Sequence, residues 1–394
     1  MPENANFGKR GRLGASVLAE GVRFSGVDVF KEFPESSTHE NFLFVSIPFA
    51  NCGYTNHLTG GQNSRHLPMI ISRAPVRISF FGGGTDYPEF FLKEGGAVLA
   101  TAIDKFSYVT ASPFLSHLFD YSIRISYRQA EWVKSVDEIR HNVYRECLRL
   151  CGFKKDIELH NVADLPAFTG LGSSSAFTVS LLHALHSFKG EFLQPLELAY
   201  EAIYVERNLL KDNVGCQDQA LAAVGGFNLV EFRTEADIAI QRVPISPERL
   251  RELERHLFII FSGVKRKAAD VVAKQLRRVE QNNATLKSMR AMVYEGYDIL
   301  TKGRPLRAFG ELLHRAWEAK RQLDGGVSTV EIDRIYQRGL AAGAWGGKLL
   351  GAGGGGFVLF LAPPRNHAKL KKAFTGRQIL NVKLNAPGSQ IIFS

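Results

Sequence analysis

Residues 165–176 read Leu165-Pro-Ala-Phe-Thr-Gly-Leu-Gly-Ser-Ser-Ser-Ala176, and an apolar helical pattern runs on from there to Phe188. Glycines let a backbone turn tightly and approach a ligand closely. The serines can cap the helix and leave its first N–H groups facing outward. Unpaired N–H groups and the helix dipole both favour negative charge, so the segment suits an anion such as a nucleotide phosphate. A serine hydroxyl there can also reach a Mg²⁺ carried by that nucleotide. The bland alternative is a Gly/Ser loop ahead of an ordinary N-cap. It is not a Walker A loop, because no Gly-Lys-Ser/Thr follows at the required spacing.

Three further segments gain meaning beside this one. Upstream, Arg73-Ala-Pro-Val-Arg-Ile-Ser-Phe-Phe-Gly-Gly-Gly-Thr-Asp-Tyr87 places a cation, Arg77, on a strand pattern and an acid, Asp86, just past a glycine turn. A carboxylate on a tight turn suits sugar hydroxyls, although it can equally bond its own turn. Downstream, Gly346-Gly-Lys-Leu-Leu-Gly-Ala-Gly-Gly-Gly-Gly-Phe357 is costly in chain entropy, which suggests backbone pressed against a ligand or another loop. In between, Asn213-Val-Gly-Cys-Gln-Asp-Gln219 sets Asp218 at the start of an Ala-rich helical stretch, where an acid is ordinary.

The remaining chain bounds the reading. It has 394 residues, 45% hydrophobic and 22% charged, which excludes disorder as a whole. Formal charge is +10, pointing to anionic partners. Residues 1–68 carry six basic and six acidic side chains and show no sustained period, so the whole excess belongs to residues 69–394. The fold is expected to begin near Met69, which reads as the real start. Strand patterns at Met69–Phe80, Val98–Ala111, Ile123–Tyr127 and Ile157–His160 alternate with helical ones at Asp137–Cys151, Ser173–Phe188 and Leu196–Asn208. A strand at His256–Ser262 opens a second region with helices over Ala268–Leu300, Leu306–Leu323 and Thr329–Ala342, then strands at Phe357–Leu361 and Gln390–Phe393. Interleaved elements favour α/β or α+β layering in both regions. The boundary is placed at 250/251, after the Pro-Ile-Ser-Pro stretch. This divides the chain into an extension, 1–68, and domains at 69–250 and 251–394. Cys147 and Cys151 read as a buried helical stripe, not as metal ligands. No window reaches the roughly eighteen apolar residues of a membrane helix, and a cytoplasmic protein without membrane partners is expected.

In this order, the segments resemble the GHMP kinases: galactokinase, homoserine kinase, mevalonate kinase and phosphomevalonate kinase. The resemblance spans Met69 to Ser394 and looks strongest to the bacterial D-glycero-D-manno-heptose 7-phosphate kinases. It implies an α+β two-domain GHMP kinase fold, with a ribosomal-protein-S5-domain-2-like N-terminal domain and a ferredoxin-like C-terminal one. It also implies ATP-dependent phosphorylation of an anomeric hydroxyl, giving the 1,7-bisphosphate, with ATP and Mg²⁺ as cofactors. By that resemblance Gly170, Leu171, Gly172, Ser173, Ser174 and Ser175 bind phosphate, and Ser173 and Glu206 hold Mg²⁺. Asp218 takes or orients the substrate proton beside Arg77. Asp86, Gly83 and Gly84 face the sugar, with Gly353 and Gly354 close to it. Gly83-Gly84 stand where galactokinases have Glu-His, which argues against galactose. The basic run Lys265-Arg266-Lys267 suggests Arg266 as a contact to a substrate phosphate, with Lys320 and Arg321 as further candidates. Alternatives are another sugar 1-kinase, of fucose type or for an unphosphorylated heptose, and a non-catalytic sugar or nucleotide sensor. No recognition helix or aromatic-studded basic strand supports nucleic acid as a partner. A homodimer is compatible with the sequence.

Overall fold

The computed structural model describes residues 69–167, 169–264 and 269–394; the extension and Arg266 lie outside them. Twelve strands are described: β1 (Ile70–Phe81), β2 (Gly96–Pro113), β3 (Ile123–Ser126), β4 (Ala130–Val133), β5 (Ile157–Ala163), β6 (Phe227–Thr234), β7 (Asp237–Arg242), β8 (Leu257–Phe261), β9 (Gly346–Leu349), β10 (Phe357–Leu361), β11 (Ile379–Leu380) and β12 (Gln390–Phe393). The described helices are α1 (Pro88–Glu94), α2 (Asn142–Leu150), α3 (Ser173–Phe188), α4 (Pro195–Tyr204), α5 (Gln217–Val224), α6 (Pro247–His256), α7 (Ala269–Leu276), α8 (Asn283–Thr301), α9 (Leu306–Arg321), α10 (Val330–Ala341) and α11 (His367–Ala373). None of them is long and apolar enough to cross a membrane.

An eight-stranded sheet runs β12-β1-β2-β5-β3-β4, with β6 joining β2 and β7 joining β6. Among the described strands, only the β3–β5 pair is parallel. A four-stranded antiparallel sheet runs β11-β8-β10-β9. Strand β1 is buried on both faces beyond Ala74 because α3, α5, α8 and α9 all contact it. Alternation along β8 and β10 explains the second layer. Ile259, Leu359 and Leu361 enter the main core, while Phe258, Ile260, Val358 and Phe360 face a separate cluster with Trp317 and Tyr336.

Three expectations change. The expected boundary at 250/251 falls inside helix α6, which is capped by Ser246, whose hydroxyl accepts the Arg249 N–H, and started by Pro247. The helix read over Ala268–Leu300 is two helices, separated by a turn at 277–282 and tied by Asn282 Nδ2 donating to Leu323 O. Strand β12 returns to pair with β1, so the end of the chain completes the first sheet.

The ladder between β1 and β2 slips twice, between Pro75 and Arg77 and again between Ser79 and Phe81. Such bulges re-aim side chains and free carbonyls. Both slips lie at the site described next.

Candidate active site

Arg77 follows the first slip and is 6% exposed. Its backbone N–H donates to Leu171 O at 2.9 Å, tying β1 to the glycine loop. Its Nη1 donates to Gly170 O at 2.8 Å, while Nε and Nη2 donate to the two carboxylate oxygens of Asp218, each at 2.7 Å. A planar guanidinium matches a carboxylate in this two-point fashion, so Asp218 is fixed in position and orientation. Asp218 starts α5, where the helix dipole also favours an acid. Its side chain remains 23% exposed, open enough to meet a second molecule.

The glycine loop sits against this pair. Gly170 and Gly172 have φ of +78° and +77°, a region that disfavours side chains. A Cβ on Gly172 would lie 3.1 Å from Asp218 Oδ2. Gly172 is the N-cap of α3 and contributes no side-chain cap, so first-turn N–H groups stay unpaired by the helix. Leu171 is buried and Ser174 exposed. Ser173 Oγ is buried without a hydrogen-bond partner among the described residues.

Behind the loop, Glu206 lies in a π-turn after α4 and is 2% exposed. It accepts hydrogen bonds from Ser175 Oγ at 2.8 Å, Thr178 Oγ1 at 2.7 Å and Gln219 Nε2 at 2.5 Å. Burial pushes its carboxyl up to about 7 despite these donors. An orphaned hydroxyl and a buried carboxylate at a helix N-terminus are hard oxygen ligands. They fit Mg²⁺, which takes few protein ligands when phosphates supply the others.

The family model described as the GHMP kinases N terminal domain matches residues 137–226, and the GHMP kinases C terminal model matches 300–376. The chain belongs to the GHMP kinase family. Similar proteins include a D-glycero-alpha-D-manno-heptose 7-phosphate kinase of Campylobacter jejuni, 28% identical over 79% of this chain and 95% of that one. The L-fucokinase/L-fucose-1-P guanylyltransferase of Bacteroides fragilis is 27% identical over 78% of this chain, which spans 36% of that protein. Among solved structures, a D-glycero-D-manno-heptose 1-phosphate kinase of Bacteroides thetaiotaomicron has a TM-score of 0.67 at 22% identity, over 82% of this chain and 98% of that one. The fold is therefore the expected α+β GHMP kinase fold with an N- and a C-terminal domain.

Other expected residues of this GHMP kinase fall in two groups. Gly351 and Gly170 interlock: a Cβ on Gly351 would lie 2.5 Å from Gly170 Cα, and one on Gly170 would lie 2.4 Å from Leu350 O. Gly353 and Gly354, expected near the substrate, abut Val327. A Cβ on Gly353 would lie 2.8 Å from Val327 Cα, and Gly354 N donates to Val327 O at 3.0 Å. The neighbouring loop thus accounts for the missing side chain of Gly353, and a φ of +77° for that of Gly354. Asp86 is buried and grips its own turn and that of α5, accepting Gly84 N at 2.9 Å and Gln217 N at 3.4 Å. Burial raises its pKa above the ordinary carboxylate value. Gly83 lies beside Ser79 Oγ and Gln217 Nε2, and Gly84 beside Leu286 and Leu323. Arg321 is paired outward with Glu318 and Asp333.

The sequence reading missed Lys348, visible only as a lysine inside Gly346-Gly-Lys-Leu-Leu. It is 5% exposed, and its Nζ donates to Ser79 O at 2.8 Å and Phe80 O at 2.9 Å, the carbonyls at the second slip. Burial, with Lys320 and Arg77 nearby, drives its pKa well below the ordinary lysine value. Both hydrogen bonds go to backbone carbonyls of β1. Lys348→Met should therefore lower stability by about 1–3 kcal/mol, as expected when buried acceptors lose their partner. A urea denaturation midpoint equal to that of the wild type would show that the strap does not carry load.

Proposed function

We propose that this GHMP kinase transfers the γ-phosphoryl group of ATP to the anomeric C1 hydroxyl of a sugar phosphate, D-glycero-D-manno-heptose 7-phosphate, giving the 1,7-bisphosphate. The observation that carries the reading is the Arg77–Asp218 fork set against Gly170–Gly172. It holds a partly exposed carboxylate beside a loop suited to phosphate. Phosphoryl transfer asks a protein mainly for in-line positioning and charge neutralisation.

Each residue then has a defined task. First-turn N–H groups of α3 bind the nucleotide phosphates. Asp218 accepts or orients the acceptor proton. Ser173 and Glu206 would hold Mg²⁺, which supplies positive charge to the phosphates. Asp86 braces the turn that carries Asp218. Support for a phosphorylated acceptor comes from an open cleft of about 620 Å³ lined by Lys274, Arg277, Arg278 and Asp324. Only Arg278 of those cations is ion-paired among the described residues, with Asp324 at 3.2 Å. Helix α7 carries Lys274 to this cleft, while its Val272, Gln275 and Leu276 line a small cavity with Gly84 and Tyr87.

A panel of free and phosphorylated heptoses, fucose and galactose with ATP, read by ADP release and product mass, tests the reading. Turnover confined to a sugar phosphate, with the new phosphate at C1, is expected. Preference for fucose or a free heptose would favour the second reading, to which the B. fragilis similarity lends support. Nucleotide binding without turnover of any sugar would leave a sensor.

A further inference from the structure

Phosphoryl transfer requires positive charge against the moving group. Two buried lysines, Lys320 and Lys348, accompany Arg77 at the fork, and hydrogen bonds distinguish the three. All three nitrogens of the Arg77 guanidinium are engaged, with Asp218 and Gly170 O. Lys348 is committed to the carbonyls of Ser79 and Phe80. Lys320 differs from both. It closes α9, is 6% exposed, and its Nζ donates to Gly351 O, on the segment interlocked with the phosphate loop.

An ammonium group has three donors. Two of those on Lys320 have no partner among the described residues, and no carboxylate there lies within ion-pair distance of its Nζ. Burying such a charge without a counter-ion is unfavourable. The position is nonetheless at the seam of the phosphate loop and within electrostatic reach of both Asp86 and Asp218. A cation with spare donors between nucleotide loop and acceptor acid is aimed at an anion that arrives with the substrates.

We propose that Lys320 is a catalytic residue whose ammonium binds the phosphoryl group in transit between nucleotide and acceptor. The proposal rests on the reading of this site as a phosphoryl-transfer centre. In the step, the bond from the γ-phosphorus to the β,γ-bridging oxygen breaks, and its electron pair leaves with ADP. The acceptor oxygen forms the new bond to phosphorus and its proton passes to Asp218. Nothing is oxidised or reduced. Lys320, with two donors uncommitted among the described residues, donates to the equatorial oxygens throughout.

Protonation supplies a signature. Burial, with Arg77 nearby, lowers the Lys320 pKa to about 8, against the opposing pull of Asp86 and Asp218. The charged groups around it are Arg77 of β1, Asp86 beyond β1, Asp218 of α5 and Lys348 of β9. The ammonium is present below about pH 8 and lost above it, so the wild-type rate should fall on that alkaline side.

The test compares full-length wild type, Lys320→Met and Lys320→Arg with ATP and a sugar or sugar phosphate that the wild type turns over. Lys320→Met should lower kcat by about a hundredfold or more, as loss of a preorganised charge donor does, with KM for ATP within about threefold. Its thermal midpoint should not fall, because an unpaired buried charge is removed. Lys320→Arg should retain more activity and move the alkaline limb upward, since guanidinium stays protonated. Wild-type kcat in Lys320→Met, or an unmoved alkaline limb in Lys320→Arg, would overturn the role. The arginine variant decides the matter if the methionine variant unfolds. Absence of transfer by the wild type to every acceptor in the panel would overturn the reading of the site, and this role with it.

Discussion

Asp218→Asn is expected to lower kcat for sugar phosphorylation by roughly a hundredfold or more, the scale of general-base loss. The substitution keeps the side-chain shape and removes the charge. Arg77 Nε and Nη2 now meet two carboxylate oxygens at 2.7 Å. An amide offers one oxygen and presents a donor to the other arm of the fork, so one of the two bonds is lost. Asparagine also cannot take a proton from the acceptor hydroxyl. Nucleotide affinity should hold or tighten, because the Asp218 carboxylate lies against Gly172 and its charge repels phosphate. Steady-state kinetics by ADP release, with a nucleotide titration on the same preparation, measures both effects. Wild-type turnover in Asp218→Asn would reject the assignment of Asp218 as the acid serving the acceptor. Weakened ATP binding at unchanged kcat would place Asp218 on the nucleotide side instead.

How far the sequence disclosed this site depended on the range of the forces involved. Helix α3 was read at Ser173–Phe188, the observed bounds, because its start is set by a glycine turn and its length by a continuous apolar pattern. Strand β1 was likewise clear, its apolar run ending at a glycine turn. Helix α6 was missed although Ser246-Pro247-Glu248 carries a capping pattern, because it buries only Leu253 and so lacks an apolar stripe. The break between α7 and α8 contains neither glycine nor proline. It depends on Asn282 bonding Leu323, a partner 41 residues away. The same holds for the cations: Arg77 announced itself through its motif, but the uses of Lys320 and Lys348 depend on carbonyls that only the folded chain brings to them. Local sequence shows where charge is available. Long-range packing determines which charge remains unspent.

Gly170→Ala should lower kcat/KM for ATP by about a hundredfold or more, together with the unfolding midpoint. Two effects act at once. At φ +78° a side chain costs about 1–2 kcal/mol in backbone strain. The added Cβ would also lie 2.4 Å from Leu350 O and 2.9 Å from Leu350 C, backbone atoms that no rotamer change can move. The loop must therefore shift, and with it Gly170 O, which Arg77 Nη1 holds at 2.8 Å. A displacement of about 1 Å at a reacting centre is enough for a hundredfold loss in rate. Gly303→Ala separates strain from displacement, since Gly303 has φ +66° with nothing within 4 Å of its added Cβ. That control should lose about 1–2 kcal/mol of stability and no activity per folded molecule. If Gly170→Ala matched Gly303→Ala in both kinetics and stability, the interlock with Gly351 would not be what positions the phosphate loop. Loss of catalysis beyond the strain cost would show that the two glycine segments are placed by contact with each other, and would explain why both lack side chains 181 residues apart in one chain.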